Sequence, residues 1–516
     1  MFKKLYILIS ASALMFSSCD DFLDKMPDNR TELDTPEKIS KILVSAYPDA
    51  SNAKMCEFYS DNYAENQGSY TIFNFCEEDF YFWKDTDQEG QDTPQYLWDD
   101  FYLSIAATNQ ALQAIEKLGG GPELNPQKGE ALICRAYCHY ILATTFCKAY
   151  DSNASSNLGM PYMKEPETSV APHYERGTLA ELYDNIKEDI EAALPLIDDN
   201  AYQVVKYHFN KKAAYAFAAR FYLLYMQPDF SNLSKTIEYA DKALGSNPYS
   251  MLRDWKSLGL LSPNGDIQPN AYVASANQAN LLLIKSTSWW PLVGDPGYSV
   301  CMKYSHNKTL SAETTNSNGP WGGSTAFNQK GFAGNSSTKY GFRRMFAYQK
   351  MVTNESYYTQ LLSPLFTTDE TLICRAEAYA LLGRHNEAAA DITAWQKAYT
   401  SSTKTLTPED INNFYGPLEY WTIDKMTLKK KLDPDFIIKD NTTENLIHNI
   451  LHIRRLLNLG NGLRWLDVKR YNIANYRLCF YGGRISQTDV MIKGDERHAI
   501  QIPASVIAAG FQANPR

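Results

Sequence analysis

One polar stretch of the chain carries several large aromatic side chains. Residues 285–345 are dominated by Gly, Ser, Asn and Thr and show no helical periodicity; their notable aromatic residues are Trp289, Trp290, Tyr298 and Trp321. A structureless segment of this length is usually functional or disordered, and disordered segments are poor in aromatic residues. An indole face covers the axial C–H groups of a pyranose, while nearby amides and carboxylates bind its hydroxyls. We therefore predict ligand contacts here. The alternative is that these side chains pin the segment to the scaffold.

Carboxylates are the other groups that could do chemistry. Acidic clusters occur at 77–79 and at 99–100, and glycoside hydrolysis needs two carboxyl groups about 5–10 Å apart. A chain with 59 acidic residues offers many such pairs by composition alone. The sequence contains no HExxH, GxSxG, Walker A or GxGxxG motif. We predict a protein without catalytic residues and without a cofactor.

The cysteines do not form a metal-binding pattern. There is no CxxC pair, and Cys134 and Cys138, one helical turn apart, have no His or second Cys pair to complete a zinc site. Together with Cys147 and Cys374 they lie among apolar residues in helical patterns, which favours buried thiols that act as small hydrophobic side chains. For Cys56 and Cys76 the alternative to two free thiols is a disulfide between them, because disulfides can form in an export compartment.

The start of the chain predicts export and a lipid anchor. Lys3 and Lys4 precede an apolar stretch, residues 5–16, that is too short to span a bilayer. Small residues then precede Cys19, as in bacterial lipoproteins, whose cysteine is lipidated and becomes the mature N-terminus. We predict that residues 1–18 are a signal peptide; the alternative is an ordinary secreted protein with a coincidental cysteine. Stable anchoring needs more than one acyl chain.

The charge balance excludes one class of ligand. The net charge is −9, and no block of Lys and Arg stands out in the sequence. Nucleic-acid binding requires a basic face to neutralise phosphates. We therefore expect no nucleic-acid partner.

The pentapeptide LICRA occurs twice, at 132–136 and at 372–376. After the second copy, Tyr379, a Leu-Gly helix end and a further helix with Ile392 and Trp395 follow at the spacing of a tetratricopeptide helix–turn–helix. The pentapeptide is thus interpreted as scaffold. Its arginines, Arg135 and Arg375, are predicted to form structural ion pairs that tie neighbouring units together.

Two further segments show the same pattern. Residues 211–226 form an Ala-rich helix with aromatics at helical spacing, and residues 231–248 follow as a second helix with a closing proline. Residues 178–197 have the same second-helix character, with an apolar stripe opposite acidic residues. The first helix paired with residues 178–197 would be residues 126–148, which hold the first LICRA. The loop 151–177 would separate these two helices.

Four segments in a fixed order resemble one known family. They are CDDFLDKMPDNRTELDTPEKISKILVSAYP at 19–48, YLWDDFYLSIAATNQALQAIEKL at 96–118, IRRLLNLGNGLRWLDVKRYN at 453–472 and HAIQIPASVIAAGFQANPR at 498–516. With the tetratricopeptide pattern, they resemble the SusD/RagB family of outer-membrane nutrient-binding lipoproteins of Bacteroidetes.

The resemblance implies a fold and an organisation. It implies a mostly α-helical scaffold of about four tetratricopeptide-like helix pairs packed against an irregular, loop-rich ligand-binding part. Residues 19–516 would form a single SusD-like domain. The repeat units would lie within about 95–250 and 366–400, the ligand region at about 285–345, and the C-terminal helices and tail at about 440–516.

The resemblance also adds site candidates. In the family the loop after the first helix faces the ligand, which makes Tyr70, Trp83 and Asn66 candidates. The alternative is that the FYFW run ending at Trp83, which alternates like a packed strand edge, belongs to the core. Trp98 is expected in the core, and Trp465, inside the Arg-Trp-x-Asp pattern, is expected to be structural.

Two functions follow from these patterns. The first is a non-catalytic, lipid-anchored outer-membrane protein that captures a glycan and passes it to a SusC-like TonB-dependent transporter. The alternative is a peptide-binding protein, as in the RagB branch, or a protein-interaction tetratricopeptide module. The resemblance implies the transporter partner and the cell-surface location; the aromatic residues of the polar segment favour the glycan.

Overall fold

The structure is a computed structural model of the 516-residue chain. The residues it describes are 32–66, 72, 76–169, 172–262, 267–290, 302–322, 347–352, 357–481 and 484–516. Cys19 and the 1–18 segment therefore lie outside the described residues.

The protein is mostly α-helical with little sheet, as predicted. The described helices are α1 Pro36–Ile42, α2 Ala53–Tyr59, α3 Cys76–Tyr81, α4 Pro94–Lys117, α5 Asn125–Phe146, α6 Leu179–Ala193, α7 Lys211–Leu224, α8 Ser231–Leu244, α9 Trp255–Leu260, α10 Ile267–Tyr272, α11 Lys308–Ser311, α12 Thr368–Leu381, α13 His385–Tyr399, α14 Pro408–Tyr415, α15 Asn441–Asn458, α16 Arg464–Arg470 and α17 Ala504–Ala508.

Consecutive helices pack in pairs, with α5 against α6, α7 against α8, α12 against α13 and α14 against α15. The first three pairs are those expected from the sequence patterns. Local signals set their starts: Thr178 and Glu181 form a capping box before α6, and Asn210 and Thr367 cap α7 and α12. Buried alanines, such as Ala219 in α7, let the helices approach closely.

Seven described strands form two small sheets. The strands are β1 Ala64–Asn66, β2 Asn280–Thr287, β3 Tyr304–Ser305, β4 Ala347–Val352, β5 Tyr357–Thr367, β6 Asn475–Tyr481 and β7 Arg484–Met491. The four-stranded sheet has the order β3-β1-β6-β7, and the three-stranded sheet has the order β2-β5-β4. Strand β1 is antiparallel to β3 and parallel to β6, so it joins three distant parts of the chain.

The C-terminal pattern beginning at Arg454 holds the helices together through buried charges. Arg454 binds Asp467 at 2.7 Å and Glu377 of α12 at 2.8 Å, while Arg470 and Tyr471 donate to the same Glu377 carboxylate. Burial alone would raise the pKa of Glu377, but the two arginines outweigh it and hold the pKa below its usual value. Removing either partner of such a pair leaves an uncompensated buried charge.

The repeated arginines form the expected ion pairs, with one difference. Arg375 binds Asp391 in its own unit and Asp241 of the preceding unit at 2.6 Å, so it does tie neighbouring units together. Arg135 instead binds Asp189 within its own unit. The α5–α6 pair is interrupted by a long loop, and this ion pair joins its two helices directly.

Two expectations about local structure meet a different outcome. The FYFW run at residues 80–83 is not a strand edge, because α3 continues through Tyr81 and Trp83 lies in the following turn with φ +52°. Cys56 carries a free buried thiol, so the disulfide with Cys76 is not formed. Cys134, Cys138, Cys147 and Cys374 are also buried free thiols, as predicted.

Membrane-spanning potential is absent from the helices that the structure describes. None of them combines the length and the apolar character that crossing a bilayer requires.

Candidate functional site

The two segments predicted to bind ligand meet in the structure. Asn66 in β1 donates its side-chain amide to the Ser305 hydroxyl at 2.8 Å, and its backbone N–H donates to the Lys303 carbonyl at 2.6 Å. Asn307 donates in turn to the Asn66 side-chain oxygen at 3.2 Å. The polar side chain of Asn66 is therefore buried and fully used in joining β1 to β3.

Trp290 is part of the core beneath this junction. Its side chain is only 1% exposed, and its indole N–H donates to the Gly460 carbonyl at 2.7 Å. Its ring lies at 6.3 Å from Phe58 and 6.0 Å from Tyr63. As placed, Trp290 anchors the end of β2 to the C-terminal helices, which supports the pinning alternative for this residue.

Trp321 and Trp83 are buried in the same way. Trp321 stacks on His452 at 5.4 Å and meets the Trp395 edge at 5.6 Å. Trp83 lies under the Arg477 guanidinium at 3.7 Å and donates its indole N–H to the Tyr59 carbonyl. Neither ring presents a face to a ligand in this structure.

Trp289 differs from its neighbours because its side chain is half-exposed. Its backbone N–H donates to one oxygen of the buried Asp92 carboxylate at 2.8 Å, and Ser288 donates its hydroxyl to the other oxygen. Burial raises the pKa of Asp92, although Lys54 and the Ser288 hydrogen bond act against this rise. The indole is thus held at the end of β2 on a fixed backbone, a geometry that suits a stacking platform.

Polar and aromatic groups lie beside Thr287, two residues before Trp289. Thr287 donates its backbone N–H to the Asp49 carbonyl at 2.7 Å and its hydroxyl to the Asp49 carboxylate at 3.3 Å, and the partly exposed Tyr96 side chain lies beside Thr287. The candidate site is therefore the set Trp289, Thr287, Tyr96 and Asp49. Such a combination of flat rings, hydroxyls and a carboxylate can bind a polyhydroxylated ligand.

A buried ionic network fixes the 302–322 segment beside β1. Arg464 binds Asp61 through two hydrogen bonds of 2.7 and 2.9 Å, Arg455 binds Glu313 at 2.8 Å, and Lys430 lies 3.1 Å from Glu313. Burial would raise the pKa of Asp61, but Arg464 and Arg455 hold it well below its usual range. The region is rigid because every charge in this group has a partner.

The described residues hold no group of three or more His, Cys, Asp or Glu side chains that could bind a metal ion. The acidic clusters noted in the sequence are engaged in structural contacts. Glu77 pairs with Lys54 at 3.2 Å, Glu78 accepts from Lys303 and Tyr304, and Asp100 accepts from the Ala50 backbone at 2.8 Å.

The predicted site residues thus separate into three groups. Asn66, Trp83, Trp290 and Trp321 are buried, Trp289 is half-exposed, and Tyr70 and Tyr298 lie outside the described residues. Sequence reasoning missed Tyr96 and Asp92, which are far from Trp289 in the chain. The only signal was the Asp-Thr-Pro run at 92–94, which predicts a helix start rather than a ligand contact.

The chain is similar to proteins of one family in sequence and in fold. Residues 21–223 match the SusD-like family described as starch-binding and associating with the outer membrane. A SusD superfamily protein from Bacteroides vulgatus is 16% identical, with a TM-score of 0.63 over 93% of this chain and 99% of that one. Among curated proteins, none matches significantly.

Two further solved structures share the fold. A SusD superfamily protein from Bacteroides thetaiotaomicron is 17% identical and has a TM-score of 0.62 over 94% of this chain and all of that one. A SusD-like carbohydrate binding protein from Bacteroides vulgatus is 15% identical and has a TM-score of 0.57 over 92% of this chain and 96% of that one. The sequence match to this family thus covers residues 21–223, and the fold is shared over nearly the whole length of the chain.

Proposed function

We propose that this protein is a cell-surface, lipid-anchored glycan-binding protein. It captures an oligo- or polysaccharide and passes it to a SusC-like TonB-dependent transporter of the outer membrane, without catalysing a reaction. The family's description as starch-binding and outer-membrane associated supports the ligand class and the location. Cys19 would carry the lipid.

The half-exposed Trp289 is the observation that supports glycan binding most directly. The other described tryptophans predicted as contacts are buried, whereas Trp289 is partly exposed and its backbone N–H is held by Asp92. A pyranose would lie on the indole face, with its hydroxyls toward Tyr96 and Thr287. A rigid aromatic contact loses little conformational entropy on binding, which favours a useful affinity.

The engagement of the acidic clusters supports a non-catalytic role. A glycosidase needs one carboxylic acid and one carboxylate free to reach the glycosidic bond. Glu77 is instead buried against Lys54, and Glu78 is bound by Lys303 and Tyr304. Glu77 thus joins α3 to α2, and Glu78 joins α3 to β3.

Calorimetry on the mature chain without its lipid tests the binding proposal. The ligands would be polysaccharides, host glycans and mixed peptides. We expect a glycan to bind, and Trp289→Ala to weaken it by about tenfold, equivalent to about 1.4 kcal/mol. Tyr249→Ala, which removes an aromatic side chain that is 46% exposed elsewhere, is the control and should leave the affinity unchanged. Binding of peptides alone would overturn the glycan assignment in favour of the RagB-like alternative.

A second experiment tests the anchor and the partner. Cys19→Ala should abolish incorporation of labelled palmitate, because the thiol that would carry the lipid is removed. Without these acyl chains the protein should leave the outer-membrane fraction. Cys147→Ala, a buried thiol, is the matched control. A TonB-dependent barrel should co-purify with the native protein, and its absence from native membranes would contradict the proposed transfer step.

A further inference from the structure

An open cleft lies beside α4, the helix that also carries Tyr96. Its volume is about 640 Å³, within the range of small-molecule sites, and its walls are α4, residues 161–167 and 172–174, and residues 504–511. Trp98 and Tyr102, one turn apart on α4, line the cleft, and their ring centroids are 4.9 Å apart. Trp98 was expected in the core; it packs against the core, where it contacts Phe146, and is partly exposed toward the cleft.

The repeat unit fixes the first wall of this cleft. Asn109 of α4 donates to the carbonyls of Met163 and Glu165 at 3.0 and 3.3 Å, and Arg135 donates to the Lys164 carbonyl at 3.1 Å. Tyr162 stacks on the buried His139 ring at 3.9 Å. The wall is therefore pre-organised by side chains of the first LICRA helix rather than free to collapse into the cleft.

The C-terminal tail fixes the second wall. Arg176 donates to the Gly159 carbonyl at 2.8 Å and to the Asn514 side-chain oxygen at 2.7 Å, and its guanidinium lies 5.8 Å from the Phe511 ring. Phe511 meets Trp98 edge-on at 5.3 Å. The aromatic surface of the cleft is thus assembled from two chain segments more than 400 residues apart, 98–102 and 511.

The charges and hydrogen-bonding groups of the cleft limit its ligand. Its described lining contains no lysine or arginine but includes Asp99, Glu165 and Glu167, which disfavours an anionic ligand. Gln110 and His173 also line it, and no side-chain hydrogen bond occupies either of them within the described part of the chain. Asp99 accepts from the Gln95 amide and Glu167 accepts from the Tyr174 hydroxyl, which leaves Glu165 as the lining carboxylate without a side-chain hydrogen bond among the described residues. Flat rings beside an amide, an imidazole and this carboxylate match a ligand with an apolar C–H face and a hydroxyl edge.

We propose that this cleft is a second, separate binding site for a neutral saccharide, with Trp98, Tyr102, Tyr174 and Phe511 as its aromatic walls. The proposal rests on the proposed function for the class of ligand but not for the location of the site. A second site would let one chain hold a long glycan at two points, which raises the overall affinity when the spacing of the ligand allows both contacts.

Hydrogen–deuterium exchange of the full chain in detergent tests the proposal. The probes would be maltoheptaose, xylohexaose and mannohexaose. We expect at least one probe to slow exchange in residues 98–110, 161–167 and 172–174. Tyr174→Ala should raise the saccharide concentration that gives half-maximal protection by about tenfold. Phe511→Ala and the milder Glu165→Gln are second variants, since each changes a different wall. Tyr420→Ala is the control and should leave the protection unchanged. Like Tyr174, which donates to Glu167, Tyr420 is a solvent-accessible tyrosine that donates to a glutamate, Glu444.

The two sites can be separated with one further variant. Trp289→Ala should leave the protection of the cleft intact. Protection of the Trp289 region alone would overturn the cleft proposal while the proposed function stands. Binding of no saccharide at either place would overturn both.

Discussion

Arg135 and Asp189 form a two-hydrogen-bond ion pair across the first repeat unit, with distances of 2.7 and 2.8 Å. The second LICRA copy repeats this contact 240 residues later, where Arg375 binds Asp391 at 2.9 and 2.7 Å. Both pairs are buried between the two helices of a unit. The pentapeptide is therefore a structural element that fixes the angle between paired helices.

Removal of either arginine should destabilise the fold strongly. Arg135→Met would leave the Asp189 carboxylate buried without its partner, so we expect a loss of about 3–5 kcal/mol in the free energy of unfolding, and a similar loss for Arg375→Met. Lys38→Met, which removes an exposed ion pair with Asp34, should change it by less than about 1 kcal/mol. Urea unfolding at neutral pH measures all three, and equal small changes would contradict a structural role for the repeated arginines.

These pairs show what the sequence could predict. Small and large residues at helical spacing define the units containing Arg135 and Arg375, and α5, α7 and α12 begin within a few residues of the predicted helices. Trp465 was also expected to be structural from its place in the Arg-Trp-x-Asp pattern, and it is fully buried. Periodicity carries this information because it reports which face of a helix is apolar.

The tryptophans of the polar segment show where sequence reasoning stops. Trp289 and Trp290 are consecutive residues of the same type, yet Trp289 is partly exposed and Trp290 is buried. The difference comes from Gly460, whose carbonyl binds the Trp290 indole across 170 residues of chain. Contacts of this kind leave no periodic signal, and the same limit applies to the cleft built from Trp98 and Phe511.

Four of the five buried histidines among the described residues have strongly lowered pKa values and should make the protein unstable in acid. Burial lowers the pKa of His139 and His452 to about 3 and of His306 and His498 to about 4. The folded state keeps these rings neutral while the unfolded chain binds protons below about pH 6.5. Their contribution to stability is therefore complete above that pH and is lost as the pH falls toward 4.

Urea unfolding at pH 7.5 and pH 5.0 measures this effect. Each buried imidazole should lower the free energy of unfolding by about 2 kcal/mol at pH 5 as an upper bound. His139→Asn should reduce the change in the free energy of unfolding between the two pH values by the contribution of one imidazole. His173→Asn, at an exposed position, should leave this change as it is in the wild type. An identical slope in the wild type and in His139→Asn would contradict the assignment.

Glu57 should contribute with the opposite sign. Burial raises the pKa of its carboxyl group to about 7, although hydrogen bonds from Asn62, Gly462 and Gly460 act against this rise. Since the folded state holds this proton more tightly than the unfolded chain, the contribution is complete below about pH 4.5 and is lost as the pH rises through 7. Glu57→Gln should remove this dependence.

The comparison between the wild type and Glu57→Gln isolates this single group. Between pH 5 and pH 8 the free energy of unfolding of the wild type should fall relative to that of Glu57→Gln by up to about 3 kcal/mol. Glu181→Gln, which changes an exposed capping residue, serves as the control for a general charge effect. A constant difference across this range would show that Glu57 is ionised throughout.

The turn that Glu57 binds depends on a glycine at a crowded position. Gly462 has φ +77°, and a Cβ there would lie 3.0 Å from both Ala53 Cα and Cys56 Cβ in α2. Gly383 has the same φ but nothing within 4 Å of its Cβ position. Gly383→Ala should therefore show only the backbone cost, about 1 kcal/mol, whereas Gly462→Ala should lose about 3 kcal/mol because α2 must also move.

Thermal unfolding of the two glycine variants separates backbone strain from crowding. Because the Gly460 carbonyl in this turn binds Trp290, displacement of the turn should also loosen the backbone that presents Trp289. Gly462→Ala should thus weaken glycan binding together with stability, while Gly383→Ala should affect stability alone. Equal stability losses, or unchanged binding in Gly462→Ala, would show that the turn at 460–462 does not position the candidate site.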